Sequence, residues 1–242
     1  NEISEIVKSV LSEMGGEKPA PKKQLGVFVT MEEALAEVNK AYTLFRHYNK
    51  EQRENIISKI RELTRAEAEI MSKMAVAETK MGNVYHKTLK HHLVADKTPG
   101  TEDLECKALS GDRGLTLVEM APYGIIGAIT PSTNPTCTVI CNSIGMLAGG
   151  NAVVFNAHPH AKECSCYAVD LVNRAVLAAG GPENIVVTVK NPTMDTSNMM
   201  VNHPSVKLLV ATGGPGVVKM LLSSGKKAIG AGAGNPPVVV DE

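Results

Sequence analysis

From residue 114 onward the chain alternates short apolar runs with helical patterns, and this alternation constrains its fold more than any other feature. Segments 115–118, 125–130, 151–155, 185–189, 206–210 and 237–240 read as strands, and 135–147, 161–179 and 215–223 as helices between them. Strands alternating with helices imply βαβ units and a parallel sheet. The expected fold class is α/β, a doubly wound parallel sheet. The apolar run from Ile125 to Ile129 stops at Thr130-Pro131, where proline cannot continue a ladder. A polar turn carrying Asn134 follows, and Pro135 suits the first turn of the next helix. Asn134 is therefore expected at the carboxyl end of a buried strand beside a helix start, where ligands bind in open α/β sheets.

The 242 residues are 43% hydrophobic and 21% charged, enough to bury a sizeable core in one or two domains. Lys+Arg 25 balances Asp+Glu 25, which removes any global electrostatic case for nucleic acid or an anionic membrane. Three Phe, five Tyr and no Trp leave few platforms for stacking single-stranded bases. Five cysteines in no disulfide-like framework point to a reducing, cytosolic setting. No run approaches the roughly 18 apolar residues of a membrane span, and no secretory signal is visible.

The amino-terminal part divides in three. In residues 1–16, Ile3, Ile6, Val7, Val10, Leu11 and Met14 recur at helical spacing, and Gly15-Gly16 stops the pattern. Residues 17–24 read as an extended Pro- and Lys-rich linker. A helix this short is marginal alone in water. It is either the first helix of the globular domain or a tethered docking peptide, and the linker favours the second. Residues 25–114 read as helical, with weaker periodicity over 86–113, where Thr98-Pro99-Gly100 and Ser110-Gly111-Asp112 are turn signals. Thr30 and Glu33 form a capping-box signature; Ile56, Ile57, Ile60 and Leu63 give one core stripe, and Ile70, Met71, Met74 and Ala75 another. His91-His92 reads as solvated surface. Residues 115–242 form the α/β region.

Several patterns bear on chemistry. Ala211-Thr-Gly-Gly-Pro-Gly216 follows a strand and opens a helix. Such a turn lets backbone N–H groups approach a phosphate, but it departs from G-x-G-x-x-G and lacks the acidic residue for a ribose hydroxyl. A nucleotide loop and tight helix–strand packing both remain open. His158-Pro-His160 with Cys164 and Cys166 has poor metal-site spacing, because residues two apart on a helix diverge by about 200°; no metal is expected. Cys137, near a helix start, is a formal nucleophile candidate or a small core residue.

Six motifs fall in order: Thr130-Pro-Ser-Thr-Asn-Pro135, Leu147-Ala-Gly-Gly-Asn151, Val153-Val-Phe with His158-Pro159, Gly180-Gly-Pro-Glu-Asn184, Ala211-Thr-Gly-Gly214 and Gly232-Ala-Gly-Asn-Pro-Pro237. That order resembles the CoA-acylating branch of the aldehyde dehydrogenase superfamily, nearest the propionaldehyde and acetaldehyde dehydrogenases of bacterial microcompartments. The resemblance covers nearly the whole chain. It implies oxidation of a short-chain aldehyde to acyl-CoA, with NAD as cofactor and coenzyme A as co-substrate. Asn134 matches the oxyanion-stabilising Asn. Thr130, Pro131 and Ser132 match the segment beside the nicotinamide, and Gly213 and Gly214 the pyrophosphate turn. Asn156, followed by His158 and Pro159, stands where hydrolytic relatives place a ribose-contacting Lys; it carries no charge to set NAD against NADP. Ala231, ahead of Gly232, stands where hydrolytic relatives carry a water-activating Glu.

The resemblance further implies that residues 1–16 dock on shell proteins inside a microcompartment of the bacterial cytoplasm, and that the enzyme is a homo-oligomer, dimer or tetramer. None of the five cysteines matches the family's nucleophile, which lies beyond the Gly-rich motif on a separate catalytic domain. The expectation is that this chain holds the cofactor-binding half with its oligomerisation strand and does not turn over aldehyde alone. The alternatives are a non-catalytic nucleotide-binding fragment, or a phosphate-dependent semialdehyde or acylphosphate reductase of the same superfamily.

Overall fold

A computed structural model describes residues 24–232, 234 and 237–241. The helix expected at 1–16 and all of the expected linker except Gln24 lie outside the described residues, as do three positions of the 232–237 motif.

The chain runs β1 (Val27–Phe28), α1 (Met31–Phe45), α2 (Lys50–Ala66), α3 (Ala68–Thr79), α4 (Val84–Lys97), β2 (Lys107–Gly111), β3 (Gly114–Val118), β4 (Ile125–Ile129), α5 (Pro135–Ala148), β5 (Ala152–Asn156), α6 (Lys162–Ala178), β6 (Val186–Val189), α7 (Met194–Asn202), β7 (Val206–Thr212), α8 (Pro215–Leu222) and β8 (Lys227–Ala231). Six strands form one sheet in the order β1-β6-β5-β4-β7-β8, every pairing parallel. The chain winds outward from β4 through β5 to β6, then returns to the other side of β4 for β7 and β8. The strand order therefore reverses between β4 and β7. In doubly wound sheets that reversal opens a crevice at the carboxyl ends of the strands.

Burial follows from composition. Every residue of β4, β5 and β6 is buried, as near-continuous apolar runs require in a sheet covered on both faces. Ile125, Val139, Ile140, Ile144, Val154 and Phe155 belong to one core cluster; each such side chain contributes roughly 1.5–3 kcal/mol by burial. Gly127 lets α7 approach the centre of the sheet. A Cβ there would stand 3.1 Å from Leu209 and Val206 and 3.2 Å from Met200.

The helices begin where their caps allow. Thr30 accepts from Glu33 N at 3.2 Å while the Glu33 carboxylate accepts from Thr30 N at 3.4 Å, the expected capping box of α1. Asn49 and Gln52 make a second box on α2. At the entry to β4, Asn151 Oδ1 accepts from the amides of Tyr123 at 2.7 Å and Gly124 at 3.0 Å.

Four expectations are corrected. The segment read as wholly helical opens with β1, a two-residue edge strand too short to carry periodicity. Weakly periodic residues 86–113 contain most of α4 and all of β2, which pairs antiparallel with β3 in a separate hairpin. Ile70 faces solvent at 48% exposure, leaving Met71 and Ala75 as the buried pair of that stripe. Residues 237–240 are not a strand. Pro237 has no N–H to donate, Val238, Val239 and Val240 are exposed, and Lys227–Ala231 is the last strand instead. No helix among the described residues is long and apolar enough to cross a membrane.

Candidate functional site

The turn after β4 is built to leave polar groups free. Asn134 occupies the N-cap of α5, with Pro135 at the first helical position. Asn at an N-cap ordinarily accepts from a first-turn amide. Here φ −146° and ψ 58° turn the side chain away, and it makes no capping hydrogen bond. Its backbone carbonyl instead accepts from Thr138 N at 3.1 Å and Thr138 Oγ1 at 2.6 Å. Four residues earlier, Thr130 is buried and its hydroxyl has no partner among the described residues. A buried unpaired hydroxyl costs about 1–3 kcal/mol, so the turn carries one polar group in need of a partner and one carboxamide held half-exposed.

A cavity of about 210 Å³ opens at the carboxyl ends of β4, β5 and β7. Seven of the residues expected to bind cofactor line it: Thr130, Pro131, Asn156, His158, Pro159, Gly213 and Gly214. Ser132 and Asn134 lie on the turn leading out of it. Ala231 is next door on β8, where its carbonyl accepts from Gly213 N at 3.2 Å, and Gly232 follows it. One wall comes from α7 and the other from α8, through Met194, Val217 and Met220.

The chemistry of the cavity suits one end of a dinucleotide. Gly214 caps α8 without a side-chain hydrogen bond, so first-turn amides are left for an anion. No atom lies within 4 Å of where a Cβ would stand on Gly213, Gly214 or Gly216. The methionine and valine walls suit a flat base. No carboxylate lines the space, and burial pushes the His158 imidazole below its usual pKa, with His160 adding to the effect. A larger groove of about 810 Å³ along the β1 edge is lined by Glu33, Glu37 and Glu183, the wrong sign for phosphates.

Asn156 differs from a free ribose ligand. Its Nδ2 donates to Ser197 Oγ at 2.6 Å and to the Thr193 carbonyl at 3.4 Å, and its Oδ1 accepts from Thr196 Oγ1 at 2.7 Å. The carboxamide fastens the start of α7 to the end of β5.

Two residues behind the turn escaped the sequence reading. Lys87 and His91 lie on the core-facing stripe of α4 with Ala95. Lys87 Nζ donates to the Thr133 carbonyl at 3.2 Å. His91 is buried, which corrects its reading as surface. Its Nδ1 is 2.8 Å from the Lys87 carbonyl, which can only accept, so the proton sits on Nδ1. Nε2 then accepts from Thr136 Oγ1 at 2.8 Å. Burial is the main reason its pKa falls to about 4. The i, i+4, i+8 spacing of Lys87, His91 and Ala95 was the available signal.

The cysteines offer no activated thiol at the cavity. Cys137 is 2% exposed, and burial pushes its thiol up to about 11 despite the helix start and two lysines that pull the other way. Burial likewise raises Cys164, and raises Cys166 to about 12. Cys106 and Cys141 are exposed but do not line the cavity. Among the described residues, no group of three or more His, Cys, Asp and Glu side chains is placed to hold a metal ion.

The amino-acid sequence matches known proteins along the whole chain. It is 42% identical over 242 residues to a CoA-propanoylating propanal dehydrogenase of Citrobacter freundii. It is 45% identical over 244 residues to the acetylating acetaldehyde dehydrogenase EutE of Salmonella typhimurium. Both comparisons cover 100% of this chain and 52% of the relative, so the chain spans about half the length of the curated relatives it matches. A propionaldehyde dehydrogenase from the fucose-utilisation bacterial microcompartment of Clostridium phytofermentans superposes with a TM-score of 0.86 at 59% identity, covering 88% of this chain and 49% of that one. The model of the aldehyde dehydrogenase family matches residues 22–242. A match of that extent, on a chain with this doubly wound sheet, shows that the chain belongs to the aldehyde dehydrogenase family.

Proposed function

We propose that this chain is the cofactor-binding half of a CoA-acylating dehydrogenase that converts a short-chain aldehyde, acetaldehyde or propionaldehyde, to acyl-CoA. The observation that carries this reading is the placement of an uncommitted Asn134 carboxamide on the turn that leaves the switch-point cavity. When bound there, NAD supplies the hydride acceptor. The open turn at Gly213 and Gly214 and the first amides of α8 receive the pyrophosphate. Thr130, Pro131 and Ser132 lie toward the nicotinamide. Asn134 donates from its amide nitrogen to the aldehyde oxygen as negative charge gathers on it, which is worth about 10²–10³ in rate for one oxyanion donor.

The nucleophile is a cysteine thiolate carried by polypeptide outside these 242 residues. The thiol positions within the chain support this, because the buried ones are held protonated and the exposed ones lie away from the cavity. The thiolate adds to the carbonyl carbon, hydride leaves that carbon, and the acyl group passes to the CoA thiol. Ala231, beside Gly213, offers no base to activate water, which favours a thiol acceptor over hydrolysis. The β2–β3 hairpin exposes Leu109, Leu115 and Leu117 at 61–65%; a two-stranded hairpin is marginal alone, and its place is against a second copy of the protein. Residues 1–16 dock on shell proteins of a bacterial microcompartment.

The test is NADH formation by the complete enzyme from propionaldehyde with CoA, with phosphate, or with neither. CoA dependence supports the reading. Phosphate dependence would assign the chain to an acylphosphate-forming reductase, and turnover with neither would make it hydrolytic.

A further inference from the structure

Asn134 needs a rigid mount, because a donor misplaced by about 1 Å forfeits on the order of a hundredfold in rate. Its own contacts do not supply one: the side chain makes no capping bond, and the turn before it consists of half-exposed Pro131 and Ser132 and exposed Thr133. The mount comes from behind. α4 presents to the interior a stripe that ordinary packing would fill with apolar residues, yet it carries Lys87 and His91.

We propose that Lys87 and His91 are positioning residues for Asn134, gripping the turn on both sides of it. Lys87 holds the Thr133 carbonyl, the peptide immediately before Asn134, at 3.2 Å. His91 holds the Thr136 hydroxyl, two residues after it, at 2.8 Å. The grip is itself fixed. The His91 Nδ1 proton is taken by the Lys87 carbonyl at 2.8 Å, with Ser72 Oγ on α3 at 3.0 Å from the same nitrogen. Ser72 Oγ in turn donates to the Ala68 carbonyl at 2.7 Å. Helices α3, α4 and α5 are thereby joined through one imidazole directly behind the turn.

Lys87 is 7% exposed and makes no ion pair among the described residues. Keeping an unpaired cation in such a place is costly. A methionine would fill the space and pack as well, so the charge is retained for what its N–H groups hold. A purely structural role would leave the catalytic step indifferent to the substitution once the fold is intact.

This inference rests on the oxyanion role of Asn134, and its test separates the two. In the complete enzyme, Lys87→Met and Thr136→Val are each assayed alone and in an Asn134→Ala background. The expected result is a fall in kcat of about tenfold or more in each single variant, with KM for the dinucleotide within about twofold. Lys87→Arg recovers most of the loss, and neither substitution has further effect once Asn134 is gone. Equal losses in the Asn134→Ala background, or unchanged kcat in both single variants, would overturn the proposal. If Lys87→Met does not fold, Thr136→Val, which keeps the side-chain shape, decides the matter. If the native enzyme shows no aldehyde oxidation, the proposed function fails. The grip is then read from amide hydrogen exchange at residues 133–136, which rises in Lys87→Met if the lysine holds the turn and stays unchanged if it does not.

Discussion

Asn156 and Ser197 are joined by a 2.6 Å hydrogen bond that fastens the carboxyl end of β5 to α7. The Asn156 side chain is buried and also bonded to Thr196 and Thr193. Asn156→Ala removes the donor to the buried Ser197 hydroxyl and a partner of the half-exposed Thr196 hydroxyl, both of which keep a bond to the Thr193 carbonyl, at about 1–3 kcal/mol in all. A stability loss of about 1–3 kcal/mol is expected, read from the midpoint shift in urea unfolding. A loss below 1 kcal/mol would mean that the carboxamide is idle in the fold.

The same engagement bears on cofactor choice. With Asn156 occupied and no carboxylate or arginine lining the cavity, nothing there selects for or against a 2′-phosphate in the usual way. Binding titrations are expected to give Kd values for NAD and NADP within about tenfold of each other, or 1.4 kcal/mol. A hundredfold preference would require a charged group that these residues do not provide.

Glycine substitutions separate binding from folding. Gly213 has open space where a Cβ would go, and Ala there removes backbone freedom from the unfolded chain. Gly213→Ala is expected to leave Tm unchanged or slightly raised, while weakening dinucleotide binding about tenfold by blocking the close approach of backbone to phosphate. Gly26 behaves oppositely. Its φ is +72° and a Cβ would collide with the Val186 carbonyl and the Asn173 amide, so Gly26→Ala is expected to lower Tm sharply.

His91 gives the fold a pH dependence of definite sign. Burial lowers its folded pKa from 6.5 to about 4, so between those values the unfolded chain binds more protons. Stability is then full above about 6.5 and is lost as pH falls toward 4, by up to roughly 3 kcal/mol. Thermal melts from pH 7 to 5 are expected to show a smaller fall in Tm for His91→Gln than for the native protein. His158, also lowered by burial, is present in both and cancels. Glu67, whose carboxyl is held down chiefly by its hydrogen bond from Arg174, is likewise present in both.

Long, strongly patterned elements were legible in the sequence. The apolar runs of β4, β5, β6 and β7 and the helices between them fix the doubly wound sheet, and Pro131 and Pro135 bracket the turn that carries Asn134. Short or mixed elements were not. β1 gains its identity only by pairing with β6, and β8 is Lys-Ala-Ile-Gly-Ala, with one large apolar side chain. The run of valines after Pro237 reads as more strand-like than β8 does, but it pairs with no strand among the described residues. At the site, chemistry-bearing types were found where motifs named them and missed where a helix face hid them. Lys87 and His91 sit in a polar stretch of sequence, where their spacing with Ala95 is a faint signal, and the partners on α3 and α5 show that this face points inward. Asn156 lines the cavity, and its commitment to α7 depends on three hydroxyl and carbonyl groups some 40 residues away.

The most direct measurement is a crystal structure of the protein soaked with NAD. The expected density has the adenosine between α7 and α8, the pyrophosphate on the amides that follow Gly214, and the nicotinamide leading toward Thr130 and Asn134. A dinucleotide seated anywhere else, or one whose nicotinamide points away from Asn134, would contradict the assignment of this cavity.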